Sequence, residues 1–179
     1  LFTFAGFILS ESKAGERLMG LFRAFVGWLP GGLVIMAVLV CTFFTTFTGA
    51  TGVTILALGA LLVYVLVESG RYSKSFASGL ITASGSIGLL FPPSLPIILY
   101  GVTAQIDIRQ MFVGGILPGL IMVLTMCLFG VITAMRRKVE RVPFRPREAA
   151  LALKDSVWEV LLPIIILLGY FGGVTTLVE

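Results

Sequence analysis

Hydroxyls and glycines able to hold a cation gather in two short stretches of an otherwise apolar sequence. The first is Thr45-Thr46-Phe47-Thr48-Gly49-Ala50-Thr51-Gly52. The second is Ser84-Gly85-Ser86-Ile87-Gly88-Leu89-Leu90-Phe91-Pro92-Pro93-Ser94-Leu95-Pro96. Thr48, Thr51, Ser84 and Ser86 supply hydroxyl oxygens, and a chain opened beside Gly49, Gly85 and Gly88 would supply carbonyls. Neither stretch contains a carboxylate, so a divalent metal would lack the ligands it usually takes. Na⁺, held by neutral oxygens, fits better, with any anion drawn to helix N-termini. For one hydroxyl alone the simpler account is a bond to the carbonyl one turn earlier, common in membrane helices. Two clusters in adjacent interrupted segments favour a site.

The segments that carry them are apolar. Ala24 to Val67 and Ser75 to Ile106 contain no charge. Hydrophobic residues make up 58% of the chain and charged residues 12%, with a mean hydropathy of +1.06, which excludes an ordinary soluble domain. In hydrocarbon every backbone group must pair within its segment, so a helix breaker survives at depth only where it faces protein or a polar cavity. Such breaks mark the ion and substrate sites of secondary transporters. The expected fold is therefore all-α: a polytopic membrane protein with a re-entrant helical hairpin and a broken transmembrane helix. The chain has no histidine. With no nucleophile–base pair or metal set in view, an enzyme is not expected. Cys41 and Cys127 lie inside apolar runs and read as buried, unpaired thiols.

Charge orders the segments. Residues 1–10 read as the end of a truncated transmembrane helix, because the chain opens inside an apolar run, and both ends look cut from a longer protein. Residues 11–30 alternate charges with Leu18, Met19, Leu21, Phe22, Phe25 and Val26, which suits an interfacial amphipathic helix or a short cytoplasmic connector. Cations cluster at Lys13, Arg17 and Arg23, at Arg71 and Lys74, and through the basic loop 136–159; the positive-inside rule makes all three cytoplasmic. The stretch Ala24 to Val67 must then leave and return on one side. As a single helix it would run about 66 Å, roughly twice the hydrocarbon thickness. Folded at Thr48-Gly49 it becomes a hairpin (31–68, tip 46–52) with arms of about 24 and 18 residues, enough to approach or just cross the core. Residues 75–106 form one crossing, broken where the first helix ends near Ser84 and Pro92, Pro93 and Pro96 forbid regular bonding. A short second helix could start at Pro96. Residues 111–135 return to the cytoplasm, and 160–179 begin a further helix.

At this level of detail the sequence resembles a family. FFTTFTGATGVTILALG from Phe43 to Gly59, and GLITASGSIGLLFPPSLPIILYG from Gly79 to Gly101, resemble the large membrane subunit of the TRAP transporters, the tripartite ATP-independent periplasmic transporters of organic acids. LFTFAGFILSES at the start, MFVGGILPGL from Met111 and LLPIIILLGYFGGVTTLVE at the end extend the likeness over essentially the whole chain. Its most specific part is Phe91-Pro92-Pro93-Ser94.

The resemblance implies two inverted repeats, each with a re-entrant hairpin and a broken helix, working as an elevator. This chain would hold most of the first repeat and the opening of the second, without the second hairpin and its half of the site. A first Na⁺ site would lie between hairpin tip and helix break, at Thr48, Gly49, Ala50 and Thr51 with Gly85, Ser86 and Gly88, and the break itself would be Pro92, Pro93 and Ser94. Na⁺ would be the coupling ion, with no cofactor. The implied partners are a small membrane subunit, a periplasmic substrate-binding protein, an organic acid (a C4-dicarboxylate, sialic acid or similar carboxylate) and the lipid bilayer of the bacterial inner membrane, with no nucleic acid. The family commonly has Ser-Gly-Ser-Ser-Pro at the tip; Ala50 here lacks a hydroxyl and could serve only through its backbone. Its end motif is often Phe-Thr-Pro-Thr-Glu; of Thr175-Thr176-Leu177-Val178-Glu179 only the second threonine, Thr176, and Glu179 match it.

Three other readings stay open on the residues. A divalent anion–sodium symporter shares the broken helices but needs no binding protein. An ABC-type permease is suggested by Glu148-Ala149-Ala150 and Leu162-Pro163, but Lys154 stands where that motif needs glycine. A channel would use the hairpin tip as a filter. Topology can be tested first. Cysteines placed at positions 71 and 141 of the intact protein should label from the cytoplasm, and one at 107 from the opposite side. Labelling of position 107 from the cytoplasm alone would defeat the orientation and the hairpin with it.

Overall fold

The computed structural model describes residues 13–69, 72–137 and 146–171. The apolar opening of the chain, Arg71, Arg141 and the closing Thr175 to Glu179 motif lie outside the described residues. Those described are helical without a strand: α1 (Ala14–Val26), α2 (Gly32–Thr48), α3 (Thr51–Tyr64), α4 (Lys74–Ile87), α5 (Leu95–Ala104), α6 (Ile108–Arg137), α7 (Pro146–Asp155) and α8 (Val157–Phe171).

α2 is the axis of the packing. It is apolar all round and almost wholly buried, as expected of a helix surrounded by others. Val34, Met36, Val38, Cys41 and Phe44 form a continuous core with Leu58, Leu62 and Leu66 from the second arm and Ala77, Leu80 and Ile81 from α4. α1 adds a stripe spaced for one helix face, Ala14, Leu18 and Leu21. Its outward side carries Glu16 and Arg23, while Arg17 reaches Glu159 at 3.1 Å and its carbonyl accepts the Ser156 hydroxyl at 3.1 Å.

The hairpin starts later than its uncharged sequence suggests. A turn over residues 27–31 separates α1 from α2, with Gly31 in the left-handed region at φ 77°. A Cβ on Gly32 would fall 2.2 Å from the Val26 carbonyl oxygen, so the chain turns where glycine permits it. The first arm is thus the 17 residues of α2, about 25 Å long against a hydrocarbon core of about 30 Å. By length and composition, Thr51–Glu68 and Ile108–Arg136 can cross a membrane, the former by continuing α3 through a π-helical turn over Val65–Ser69.

A bent pair of helices occupies the region expected to be interrupted, with a later break. α4 passes Ser84, runs to Ile87 and tightens into a three-ten turn over Gly88–Leu90 before Phe91 turns extended. The reason is local. Ser84 donates to the Leu80 carbonyl at 2.7 Å and stays compatible with the helix. The obstruction is Pro92-Pro93, joined by a cis peptide, where backbone donors are missing. α5 starts at Leu95 with Pro96 in its first turn, bent 42° from α4.

Glycines let the break sit against its neighbours. On α6 an added Cβ at Gly115 would lie 2.9 Å from the Leu90 carbonyl oxygen, and at Gly119 3.0 Å from the Phe91 ring. On the other side a Cβ at Gly88 would lie 2.4 Å from the Thr42 carbonyl oxygen and 2.6 Å from Thr45 Cβ. Gly88→Ala must therefore push the break off α2, and overpacking of this kind costs about 1–3 kcal/mol. The apparent melting temperature of the intact protein in detergent should drop for Gly88→Ala but not for Gly79→Ala, where a Cβ meets nothing within 4 Å. Equal melting of the two variants would mean that the close approach is not a constraint.

Candidate functional site

The hairpin tip and the helix break meet. Gly49 ends α2 in the left-handed region at φ 65°, donating its N–H to the Thr45 carbonyl at 2.8 Å, a conformation glycine adopts without a steric penalty. A Cβ here would also lie 2.7 Å from Leu95 Cβ, at the start of α5. Ala50 is extended, and Thr51 opens α3. From the tip, Thr51 donates to the Gly85 carbonyl at 3.4 Å. One turn back, the Thr46 hydroxyl lies 2.8 Å from the Thr42 carbonyl oxygen and 3.1 Å from that of Gly88. The C-terminal ends of α2 and α4 thus converge with their carbonyls, while the N-terminal ends of α3 and α5 lie beside them. By the helix dipole, the first pair favours a cation and the second an anion.

The expected site residues separate into two groups. Thr48, Gly49, Ala50, Thr51, Gly85 and Gly88 line the junction of tip and break, and all but Ala50 and Thr51 are buried. Ser86 is close in sequence, but its side chain is exposed and donates to the Thr82 carbonyl at 3.3 Å. Ser84 is fully buried, with its hydroxyl turned back on Leu80. For these two serines the ordinary back-bond accounts for the hydroxyl; for Thr48 and Thr51 it does not. In the break, Pro93 and Ser94 are buried and Pro92 partly so, and the buried Ser94 hydroxyl has no hydrogen-bond partner among the described residues.

Sequence reasoning passed over Thr45, Thr46 and Thr54 as site-forming hydroxyls. Thr45 donates to Thr54 Oγ1 at 2.7 Å across the hairpin, and Thr48 Oγ1 lies 3.3 Å from the same atom. Thr48 Oγ1 is also 3.4 Å from the Ala50 carbonyl oxygen, and Thr54 Oγ1 is 3.5 Å from it. The signal was in the spacing: Thr45 with Thr48, and Thr51 with Thr54, are three residues apart and share a helix face. The resulting cluster is built wholly from neutral oxygens. Among the described residues no group of three or more histidine, cysteine or acidic side chains could hold a metal ion.

Comparison with known proteins places the sequence in a family. The family model of the tripartite ATP-independent periplasmic transporter, DctM component, matches residues 1–179. The C4-dicarboxylate TRAP transporter large permease protein of Vibrio cholerae serotype O1 is 35% identical over 99% of this chain and 39% of its own length. The ectoine/5-hydroxyectoine TRAP transporter large permease protein of Ruegeria pomeroyi is 34% identical over 97% of this chain and 41% of its own. For the 2,3-diketo-L-gulonate TRAP transporter large permease protein of Escherichia coli K12 the figures are 32%, 99% and 42%. The chain spans about two fifths of the length of these relatives. It belongs to the DctM family, the large permease components of the tripartite ATP-independent periplasmic transporters.

Proposed function

We propose that this chain is part of the permease of a Na⁺-coupled secondary transporter, and that the junction of hairpin tip and helix break is one of its cation sites. The observation that carries the reading is the oxygen cluster itself. The 3.4 Å between Thr48 Oγ1 and the Ala50 carbonyl oxygen is long for a hydrogen bond between oxygens. It matches the edge of an octahedron around a hard cation whose ligands stand at about 2.4 Å, which is about 3.4 Å. Na⁺ would draw Thr48 Oγ1 and the carbonyls of Ala50, Gly85 and Gly88 inward. Carboxylate or other anionic groups of the solute would be favoured at the N-terminal ends of α3 and α5.

Membership of the family supports the rest of the reading. α2 and α3 form a re-entrant hairpin, a form favoured by the shortness of α2, and they move with α4 and α5 as a body against the remainder of a longer, multi-pass inner-membrane protein. The solute is a small organic acid or a similar compound handed over by a periplasmic binding protein, with a small membrane subunit completing the complex. The named relatives carry chemically different solutes, a C4-dicarboxylate, ectoine and diketogulonate, on similar permeases. Selection then rests largely with the binding protein.

Two substitutions test the cation. Thr48→Val keeps the shape of the side chain but removes one oxygen, at a cost on the order of 1–3 kcal/mol, or about 5- to 150-fold in affinity. In the intact permease, the NaCl concentration giving half-maximal thermal stabilisation over KCl should rise by that factor. Ser86→Ala should leave it unchanged, because the Ser86 hydroxyl is turned back on its own helix. Wild-type Na⁺ dependence in Thr48→Val would remove that side chain from the site. A loss in Ser86→Ala would mean that its hydroxyl swings inward.

A further inference from the structure

We propose that Thr45 and Thr54 are positioning residues that aim the Thr48 hydroxyl, through a relay of three hydroxyls running across the hairpin. The inference rests on the reading of the tip as a cation site. It concerns residues behind the ion, which need not touch it.

Each threonine hydroxyl has one proton and two lone pairs. Thr45, on α2, donates its proton to Thr54 Oγ1, on α3, at 2.7 Å, and both residues are fully buried. Thr54 must then send its own proton elsewhere, and its acceptors are Thr48 Oγ1 at 3.3 Å and the Ala50 carbonyl at 3.5 Å. Thr48 has a similar choice, between the Thr45 carbonyl at 3.5 Å and the Ala50 carbonyl at 3.4 Å.

A cation removes these choices. When it draws on the Ala50 carbonyl and on one lone pair of Thr48 Oγ1, protons pointing at the Ala50 carbonyl are repelled, while the second Thr48 lone pair stays open to a donor. The Thr54 proton then turns to Thr48 Oγ1. The Thr48 proton turns to the Thr45 carbonyl, which already accepts the Gly49 N–H at 2.8 Å and keeps a second lone pair. The order becomes Thr45 to Thr54 to Thr48 to the Thr45 carbonyl, leaving one Thr48 lone pair directed at the ion. Without the cation the Thr48 proton can rest on the Ala50 carbonyl, with the Ala50 N–H 3.5 Å from Thr48 Oγ1. The hydroxyls therefore have two proton arrangements, and occupancy of the tip selects one. Polar groups this deeply buried interact strongly, so removing the middle member should disturb both ends.

The test uses the intact permease with NaCl as the probe and KCl as the control. Thr54→Val is nearly isosteric and removes the relay's middle hydroxyl. It should raise the Na⁺ concentration for half-maximal thermal stabilisation by about tenfold, and Thr54→Ser should restore it. Because Thr45 acts through Thr54, the double variant Thr45→Val/Thr54→Val should be no worse than Thr54→Val alone. A packing role predicts the reverse, with no rescue by serine and additive losses. Hydrogen exchange of peptides covering Gly49 to Val53, measured without Na⁺, gives a second readout, since the Ala50 N–H faces Thr48 Oγ1. Thr54→Val should speed this exchange and Thr54→Ser should not. If the wild type shows no Na⁺ stabilisation, the cation reading fails while the exchange still judges the relay. Wild-type exchange in Thr54→Val overturns the relay, as does a wild-type Na⁺ midpoint where the wild type itself responds to Na⁺.

Discussion

The close approach of α2 to the three-ten turn at Gly88 is the contact on which the arrangement depends. A broken helix in hydrocarbon leaves backbone groups that water cannot satisfy, and each costs several kcal/mol unless protein supplies a partner. α2 supplies one directly. With no side chain at Gly88, the Thr42 carbonyl and Thr45 side chain come against the turn, and Thr46 reaches the Gly88 carbonyl at 3.1 Å. The same approach brings Thr51 to the Gly85 carbonyl and Gly49 to Leu95. α6 closes the opposite side with Gly115 and Gly119. An irregular backbone is thus held by two regular helices, with glycine in the break where it meets α2 and on α6 where α6 meets the break.

This arrangement explains why the junction is polar without being charged. The ends of four helices meet there, and the carbonyls and N–H groups at those ends supply partial charge. A carboxylate in the same place would bind a cation more tightly and release it less readily. Neutral oxygens would suit an ion that binds and leaves repeatedly, as the proposed role requires. The ion pair of Arg17 with Glu159 lies elsewhere, between α1 and the start of α8, and takes no part in the junction.

The large features were legible in the sequence because they rest on composition. Uncharged runs gave the apolar helices, the positions of glycine and proline gave the two interruptions, and quoted motifs pointed to the family that the comparison then established. Details set by tertiary contact were less accessible. Helix α4 outlasts Ser84 because the serine bonds to its own helix, whereas its place beside Gly85 had suggested an open turn. The length of the first arm depended on a turn at Gly31-Gly32, not on the absence of charge. Ser86 looked like a ligand by proximity to Gly85, yet helical rotation sends its hydroxyl outward. The spacing puts Thr45 on the face of Thr48 and Thr54 on that of Thr51, but that these two faces touch is set by the packing of the arms.

The proposed ion sits between the hairpin tip and the helix break. The most direct measurement is a structure of the intact transporter determined in NaCl and again with choline replacing Na⁺. Density is expected in NaCl at about 2.4 Å from Thr48 Oγ1 and the Ala50 carbonyl, a typical hard-cation distance, with the Gly85 or Gly88 carbonyl completing the shell. That density should vanish in choline. An ion found elsewhere, with the tip and break unchanged between the two conditions, would contradict it.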